Sequence, residues 1–345
     1  MKKVFNWLFS KLVFCCIMIL LQMGWIVYTL YIATDTNPLI NIIMRGLSVV
    51  CALYVVYQDM KLYNKLSWVF LILFLPIVGC PCYFLFGDSD LTKNVRNRMG
   101  EIEKMVSPLR MEHLKVKEAL EMENLIAYKQ SNYISNAAKY PLYLEEDSKY
   151  YKVGQEMFAD MLVDLKNAKE FIFLEFFIMQ PGIMFNSIVD VLEERAKAGV
   201  QVRFIYDDFG CIRHFPQKFY KDLQAKGIHC ACFNPMRPFL SIIMNNRDHR
   251  KILVIDGKIA YTGGVNLADE YINKVERFGY WKDAGIRLTG DCVWSFTSMF
   301  LEMWNFIVKG NENYTKFKAP LLNNSDNQES QECQKMQKKG FVQPF

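Results

Sequence analysis

The sequence lacks any arrangement of residues that would hold a metal ion. Its ten cysteines include no CxxC pair, and no Cys and His residues cluster at metal-ligand spacing. Cysteines in apolar segments behave as small hydrophobic residues, so we interpret the ten as reduced, structural thiols, which favours a reducing compartment. A strong excess of charge is also lacking. The net charge of +5 fits anionic lipid and nucleic acid equally well, so charge alone excludes neither.

Long apolar runs, by contrast, are abundant near the N-terminus. Hydrophobic residues make up 52% of the chain, and three runs cover residues 12–33, 39–57 and 66–86. About 20 apolar residues are enough to cross the core of a bilayer. Three lysines precede the first run and predict an N-terminus on the inner side. No small-residue cleavage site obviously follows this run, so we expect an anchor rather than a signal peptide.

The two later apolar runs are less regular than the first. Arg45 interrupts the second, and Pro76, Gly79 and Pro81 in the third favour a kinked or re-entrant path. Three full crossings would leave the two ends of this region on opposite sides, yet basic residues flank the third run at both ends. We therefore predict a multi-pass membrane module over residues 1–87 in which one later run does not cross fully, and which run that is stays open.

Composition divides the rest of the chain into three regions. Residues 88–140 carry mixed charge and predict a solvated helical connector. In residues 141–310 helical and strand patterns alternate, which predicts an α/β domain with helices covering a sheet. Residues 311–345 are polar and predict a linker or tail. The predicted helices are 153–168, 183–198, 219–226 and 293–306, and the predicted strands are 171–178, 200–206, 228–233, 251–255 and 259–261.

The segment DHRKILVIDGKIAYTGGVN, residues 248–266, is the most informative part of the sequence. His249 and Lys251 are two residues apart, so on a strand their side chains would lie on the same face. A nucleophilic imidazole beside a fixed cation suits an anionic phosphodiester. Lys251 can neutralise a non-bridging oxygen while His249 attacks phosphorus, so both are candidate catalytic residues.

Four further residues of this segment complete the expected site. Asp256 follows Lys251 by five positions, and we include it with the catalytic residues because it can brace the turn and the local charge. Gly263 and Gly264 leave room where a phosphate must approach the backbone. Asn266 adds a neutral hydrogen-bond donor to the same phosphate, so these last three are predicted to bind substrate. Glu175, on a predicted apolar strand, could also face the site, but the sequence shows no partner for a buried carboxylate.

These residues match the signature of the phospholipase D superfamily, HxKxxxxD followed after six residues by GGxN, at every defining position. The surrounding block resembles that of bacterial cardiolipin synthases, whose usual NxRNHRK has Asp248 here in place of the second Asn. The segments FLEFFI (residues 173–178) and YDDFG (206–210) also match, and residues 64–87 resemble the membrane module of that family. The resemblance covers nearly the whole chain and implies transmembrane helices followed by one phospholipase-D-like α/β half-domain.

The resemblance also implies a reaction. His249 would take the phosphatidyl group from one phosphatidylglycerol and release glycerol, and a second phosphatidylglycerol would accept the group to give cardiolipin. No metal or other cofactor is implied. Asp283, in Trp281-Lys282-Asp283, matches the acid that hydrogen-bonds the far nitrogen of the nucleophile and fixes its tautomer. The expected partners are phosphatidylglycerol and anionic membrane lipid, with no nucleic acid, and the catalytic part is expected on the cytoplasmic side of the cell membrane.

Members of this family carry a second HxKxxxxD motif, which these 345 residues do not contain. The last residues, GFVQPF, resemble the beginning of the second repeat, so we expect a C-terminally truncated product or fragment. In the family, one histidine attacks and the other protonates the leaving alkoxide. A homodimer with two copies of His249 at one site would restore both roles. Two other hypotheses stay open: a phospholipase-D-type phosphodiesterase in which water is the acceptor, and an inactive membrane-bound fragment.

Overall fold

The computed structural model describes residues 17–24, 38–87, 93–216, 218–235, 246–310, 312–318 and 340–345. The chain divides into two compact units. The first comprises residues 1–92 and 236–246, and the second comprises residues 93–235 and 247–345.

The first unit contains the helices α1 (Pro38–Tyr57), α2 (Leu62–Phe74) and α3 (Pro76–Phe86), and residues 17–24 are also helical. The predicted break in the third apolar run is confirmed, and it falls at Leu75 (φ −130°, ψ 67°). Pro76 causes it, because a proline disfavours the helical conformation in the residue before it. Most of the run 12–33 lies outside the described residues. Within the parts of the chain that the structure describes, no helix combines the length and apolar character that a bilayer crossing requires.

The second unit is built around a mixed seven-stranded sheet in the order β2-β8-β7-β6-β3-β4-β5. The neighbours β3, β4 and β5 are parallel, and the other pairs are antiparallel. A separate short pair joins β1 to β9. The strands are β1 (Tyr143–Leu144), β2 (Asp147–Tyr151), β3 (Phe171–Phe176), β4 (Gln201–Asp207), β5 (His229–Phe233), β6 (Ile252–Ile255), β7 (Ile259–Gly263), β8 (Gly285–Thr289) and β9 (Phe341–Val342).

Helices cover both faces of this sheet. Ile172 and Leu174 of β3 belong to the core that includes the helices Gly154–Asn167 (α7) and Ile183–Lys197 (α8). Phe171 and Phe173 belong to the core that includes the helices Lys93–Val106 (α4) and Val293–Val308 (α11). Both faces are therefore buried, which is why the central strands are apolar throughout. The helices are α4 (Lys93–Val106), α5 (Leu114–Glu123), α6 (Leu125–Ala138), α7 (Gly154–Asn167), α8 (Ile183–Lys197), α9 (Asp208–Cys211), α10 (Tyr220–Ala225) and α11 (Val293–Val308).

The predicted α/β organisation is confirmed. Each predicted helix and strand of residues 141–310 occurs within two residues of its expected bounds. The region predicted to be a solvated connector is helical, but Ile102 and Val106 of α4 are buried in the core with α11. That region is therefore partly packed rather than fully solvated.

Candidate active site

The strand register brings several strand ends to one edge of the sheet. The parallel strands β3 and β4 end together, and the antiparallel β6 begins at the same edge, where Ile252 lies opposite Glu175. At the end of β7, Gly263 lies opposite Gly285, the first residue of β8. Residues that follow β3, β4 and β7, or that precede β6 and β8, therefore meet at this edge.

His249 and Lys251 meet at this edge, in the segment before β6. The Lys251 Nζ lies 3.2 Å from the His249 Nδ1 and donates a hydrogen bond to the His249 carbonyl oxygen at 2.6 Å. The predicted proximity of the two side chains is confirmed, but the predicted strand begins one residue late, at Ile252. Since an ammonium group can only donate hydrogen bonds, the Nδ1 is the acceptor and the proton of a neutral ring lies on Nε2.

The surroundings of this imidazole favour its neutral form over its protonated form. His249 is exposed, whereas Lys251 is buried, and the Phe177 ring contacts both, with its centroid 4.7 Å from the His249 ring centroid and 5.6 Å from the Lys251 Nζ. Desolvation lowers the pKa of His249, the nearby Lys251 charge lowers it further, and Asp248 and Asp207 oppose the shift. Desolvation also lowers the pKa of Lys251. A neutral imidazole beside a cation is the form that can attack a phosphodiester.

The predicted substrate-binding residues lie at the same edge, but they contact protein. A side chain on Gly263 (φ +152°) would collide with the Ala284 carbonyl oxygen, and one on Gly264 would collide with the Asp283 carboxylate. The structure therefore requires these glycines for close packing, and their contact with a phosphate stays a prediction. The amide of Asn266 is 2% exposed. Its Oδ1 accepts from the Ile178 N–H at 3.0 Å and its Nδ2 donates to the Tyr271 hydroxyl at 2.9 Å.

Asp283 is near the site but does not hold the nucleophile. Its Oδ1 accepts from the Ala284 N–H at 2.8 Å, and its Oδ2 lies 3.5 Å from the Trp281 Nε1. Among the described residues, the carboxylate makes no hydrogen bond to His249, so the predicted orienting contact is absent from this arrangement. Its charge instead raises the pKa of Lys251, against the effect of burial.

Asp256 lies at the other end of β6, where it braces the turn, and a catalytic role for it stays a prediction. Its carboxylate accepts from the backbone N–H groups of Lys169, Glu170 and Phe171 at 2.9, 2.8 and 2.9 Å. Five residues of extended chain separate it from Lys251, or about 16 Å at 3.3 Å per residue. Asp256 therefore holds the start of β3, at the edge opposite His249.

The sequence pattern did not predict that the charged residues flanking His249 form a hydrogen-bonded group. Asp207 accepts from the Asp248 N–H at 3.0 Å, and Asp248 in turn accepts from the Arg250 Nε at 3.1 Å. YDDFG, residues 206–210, was the available signal for Asp207. In the described ranges, no three His, Cys, Asp or Glu side chains are grouped so as to hold a metal ion.

Sequence comparison identifies the class of protein that this site belongs to. The family model "Cardiolipin synthase, PLD-like domain" matches residues 161–278, and "Phospholipase_D-nuclease N-terminal" matches residues 46–87. The chain thus resembles phospholipase-D-like proteins, and His249 and Lys251 lie within the first of these matches.

Comparison with individual proteins identifies the family more closely. A cardiolipin synthase of Staphylococcus aureus (strain Mu50) is 32% identical over 288 residues, which are 78% of this chain and 56% of the relative. Cardiolipin synthase 2 of Staphylococcus epidermidis (strain ATCC 35984) is 30% identical, over 79% of this chain and 57% of the relative. An uncharacterised protein of Streptococcus mutans is 37% identical, over 73% and 55%. The chain belongs to the cardiolipin synthase family, and it spans little more than half the length of these relatives.

Solved structures resemble the chain only weakly. NucT from Helicobacter pylori gives a TM-score of 0.37 at 14% identity, covering 47% of this chain and 97% of NucT. A phosphatidylserine synthase from Haemophilus influenzae Rd KW20 gives 0.41 at 13% identity, covering 55% of this chain and 45% of the synthase. The family assignment rests on the sequence matches.

Proposed function

We propose that the chain supplies the nucleophilic half-site of a phosphatidyltransferase that makes cardiolipin from two phosphatidylglycerol molecules. One observation carries the proposal: an exposed imidazole on His249 whose Nδ1 lies 3.2 Å from the Lys251 Nζ. A phosphodiester offers a non-bridging oxygen to that ammonium, which then leaves Nδ1. The Lys251 ammonium therefore binds the phosphate and, in the same movement, frees the His249 Nδ1.

The reaction proceeds in two displacements. A ring nitrogen of His249 bonds to phosphorus, the phosphorus–oxygen bond to the headgroup glycerol breaks, and a general acid on a second half-domain protonates that glycerol. A hydroxyl of the second phosphatidylglycerol then attacks phosphorus, giving its proton to the same group. The phosphorus–nitrogen bond breaks, which restores His249 and yields cardiolipin. This sequence consumes two lipids and releases one glycerol for each cardiolipin.

The test is phosphoenzyme formation by the full chain, reconstituted in vesicles with phosphatidylglycerol labelled at phosphorus. The wild-type chain should form an acid-labile, base-stable label, and glycerol and cardiolipin should appear in equal amounts. His249→Ala should lose the label and lower turnover on the order of 10⁴-fold or more, as loss of a nucleophile does. His229→Ala is the matched control, since His229 is also exposed but begins β5. Undiminished label in His249→Ala would exclude His249 as the nucleophile.

Hydrolysis is a second candidate reaction, favoured by the exposure of His249. Water that reaches the phosphohistidine would replace the second lipid as acceptor and give phosphatidic acid. The two reactions differ in the same assay, because hydrolysis releases glycerol with phosphatidic acid and without cardiolipin.

We also propose that residues 1–87 anchor the protein in the cell membrane by more than one crossing, with the catalytic unit on the cytoplasmic side. The three apolar runs and the basic residues around them support this. The chain should resist carbonate extraction. In intact cells, an impermeant thiol reagent should leave Cys232 unlabelled, and labelling of Cys232 with a cytosolic control protected would reverse the assigned side.

A further inference from the structure

Arg250 lies between His249 and Lys251 in sequence, but its side chain is directed to the opposite face. Its Nη2 lies 2.6 Å from the Glu175 Oε1, and its Nε lies 3.1 Å from the Asp248 Oδ1. Glu175 is on β3 and is 1% exposed. Because side chains alternate along a strand, Glu175 shares its face with Phe171 and Phe173, which pack towards α11.

The residue on the other side of His249 is held as firmly. The Asp248 N–H donates to the Asp207 Oδ2 at 3.0 Å, and Asp207 is fully buried. Asp207 also accepts from the Arg247 Nη1 at 3.2 Å, and the same nitrogen donates to the Asn234 carbonyl oxygen at 3.0 Å. Both chain neighbours of the nucleophile are thus tied to the ends of the central strands.

These side-chain contacts replace a strand ladder. Residues 247–251 precede β6 and carry no strand pairing, and no backbone–backbone hydrogen bond joins them to another described part of the chain. The Arg250 guanidinium also borders a cavity of about 170 Å³ that Arg110, Tyr140 and Glu302 help to line. The cavity leaves the guanidinium room to turn away, and the contacts with Glu175 and Asp248 oppose that movement.

We propose that Glu175 is a positioning residue for His249, acting through Arg250 to fix the backbone that follows the nucleophile. Asp207 fixes the backbone that precedes it. The inference rests on the proposed function in that it takes His249 as the nucleophile. Because the residues on both sides of His249 are held, the imidazole stays in one position relative to the phosphorus atom. This matters because a displacement of about 1 Å can lower the rate about 10²-fold.

The test compares Glu175→Gln with a matched control in the full chain. Glu175→Gln keeps the size of the side chain but replaces the carboxyl group that faces Arg250, so kcat per folded molecule should fall by about 10²-fold while KM changes little. Arg250→Lys keeps the charge but loses the planar fork, so its kcat should fall by less.

The control is Glu312→Gln. It breaks the ion pair of Arg203 with Glu312, at 2.5 and 2.8 Å, near the start of β4 and away from the site. Stability should fall in this variant, with kcat per folded molecule unchanged.

Hydrogen exchange gives a second measurement that needs no substrate. The Asp248 and Arg250 amides donate to Asp207 and Asp248, so both should exchange faster in Glu175→Gln and at the wild-type rate in Glu312→Gln. If these amides respond as expected but the wild-type chain forms no phosphoenzyme, the proposed function fails and the positioning contact stands. If Glu175→Gln matches Glu312→Gln in both kcat and exchange, the positioning role is overturned.

Discussion

At the scale of single residues, the charges around His249 set the pH range in which it can act. Desolvation and the Lys251 charge lower the pKa of His249, and only the neutral imidazole carries the lone pair that attacks phosphorus. We therefore expect kcat/KM to rise with pH along an acid limb whose midpoint lies below about 6.5, the ordinary pKa of histidine. Initial rates between pH 4.5 and 8, a range in which the phosphodiester substrate stays ionised, would locate the limb.

The Lys251 contribution can be isolated by following the imidazole itself. Lys251→Gln removes a nearby positive charge and so makes protonation of His249 easier, which should move its NMR titration midpoint to higher pH. Lys258→Gln, at an exposed turn beyond β6, is the control and should leave the midpoint in place. A midpoint that falls or stays unchanged in Lys251→Gln would contradict the assigned cause.

Asp256 should contribute to stability rather than to the chemical step. Its carboxylate accepts three backbone hydrogen bonds, and hydrogen bonds to a charged group contribute about 1.5–3 kcal/mol each. Asp256→Asn keeps one acceptor oxygen but turns a donor towards these N–H groups, so the free energy of unfolding should fall by about 2–3 kcal/mol. Urea denaturation measures this. A large loss of kcat per folded molecule without loss of stability would restore a catalytic role for Asp256.

Local spacing was enough to predict the contact of Lys251 with His249, but not the contacts of the other site residues. The contact of His249 with Lys251 follows from two positions along an extended chain. Asp256 and Asn266, in contrast, make hydrogen bonds to segments more than 80 residues away, and no local pattern specifies such partners. The role of Glu175 depended in the same way on where Arg250 would lie.

At the scale of secondary-structure elements, the contact between α2 and α3 depends on a glycine. A Cβ on Gly79 would lie 2.6 Å from the Ile72 Cα and 2.6 Å from the Leu71 carbonyl oxygen, both of which are backbone atoms. Gly79→Ala should therefore force the two helices apart and cost about 1–3 kcal/mol, as overpacking does. The measurement is thermal unfolding of the full chain in detergent, together with protease sensitivity near Leu75.

Gly46→Ala provides the matched control for this prediction. Gly46 is also in an apolar helix, but no heavy atom lies within 4 Å of its hypothetical Cβ. Alanine there should be neutral or stabilising, because it lowers the flexibility of the unfolded chain. Equal effects of the two substitutions would show that helix propensity, not the close contact, controls the result.

Elements with a clear apolar pattern were predicted, and polar ones were not. Central strands such as β3 are buried on both faces and give continuous apolar runs. The edge strand β2, with the sequence DSKYY, is largely exposed, and its partner β8 is only partly buried. Neither has the alternation that indicates a strand. Pairing with a distant segment, here Tyr151 with Gly285, defines them instead.

At the scale of the whole molecule, the site provides one imidazole for the proposed reaction, which needs both a nucleophile and a general acid. His249 cannot be the nucleophile and also the protonated acid for the leaving glycerol. General acid help contributes about 10²- to 10⁴-fold, so a single half-site should turn over poorly. A second copy of the chain related by a two-fold axis would bring a second His249 to the same pocket.

Activity should therefore depend on pairs of chains. In vesicles, cardiolipin formation per chain should rise with chain density in parallel with the crosslinked dimer fraction. When wild-type and His249→Ala chains are mixed in equal amounts, only wild-type pairs hold two imidazoles, so activity should fall to about one quarter of that of the same total amount of wild-type chain. Independent chains would instead retain about one half.

Mixing with His229→Ala controls for dilution and should leave activity unchanged, because His229 begins β5 and is not part of the site. Strong activity from chains shown by crosslinking to be monomeric would contradict the two-imidazole requirement, and no activity at any density would favour the inactive fragment over the homodimer.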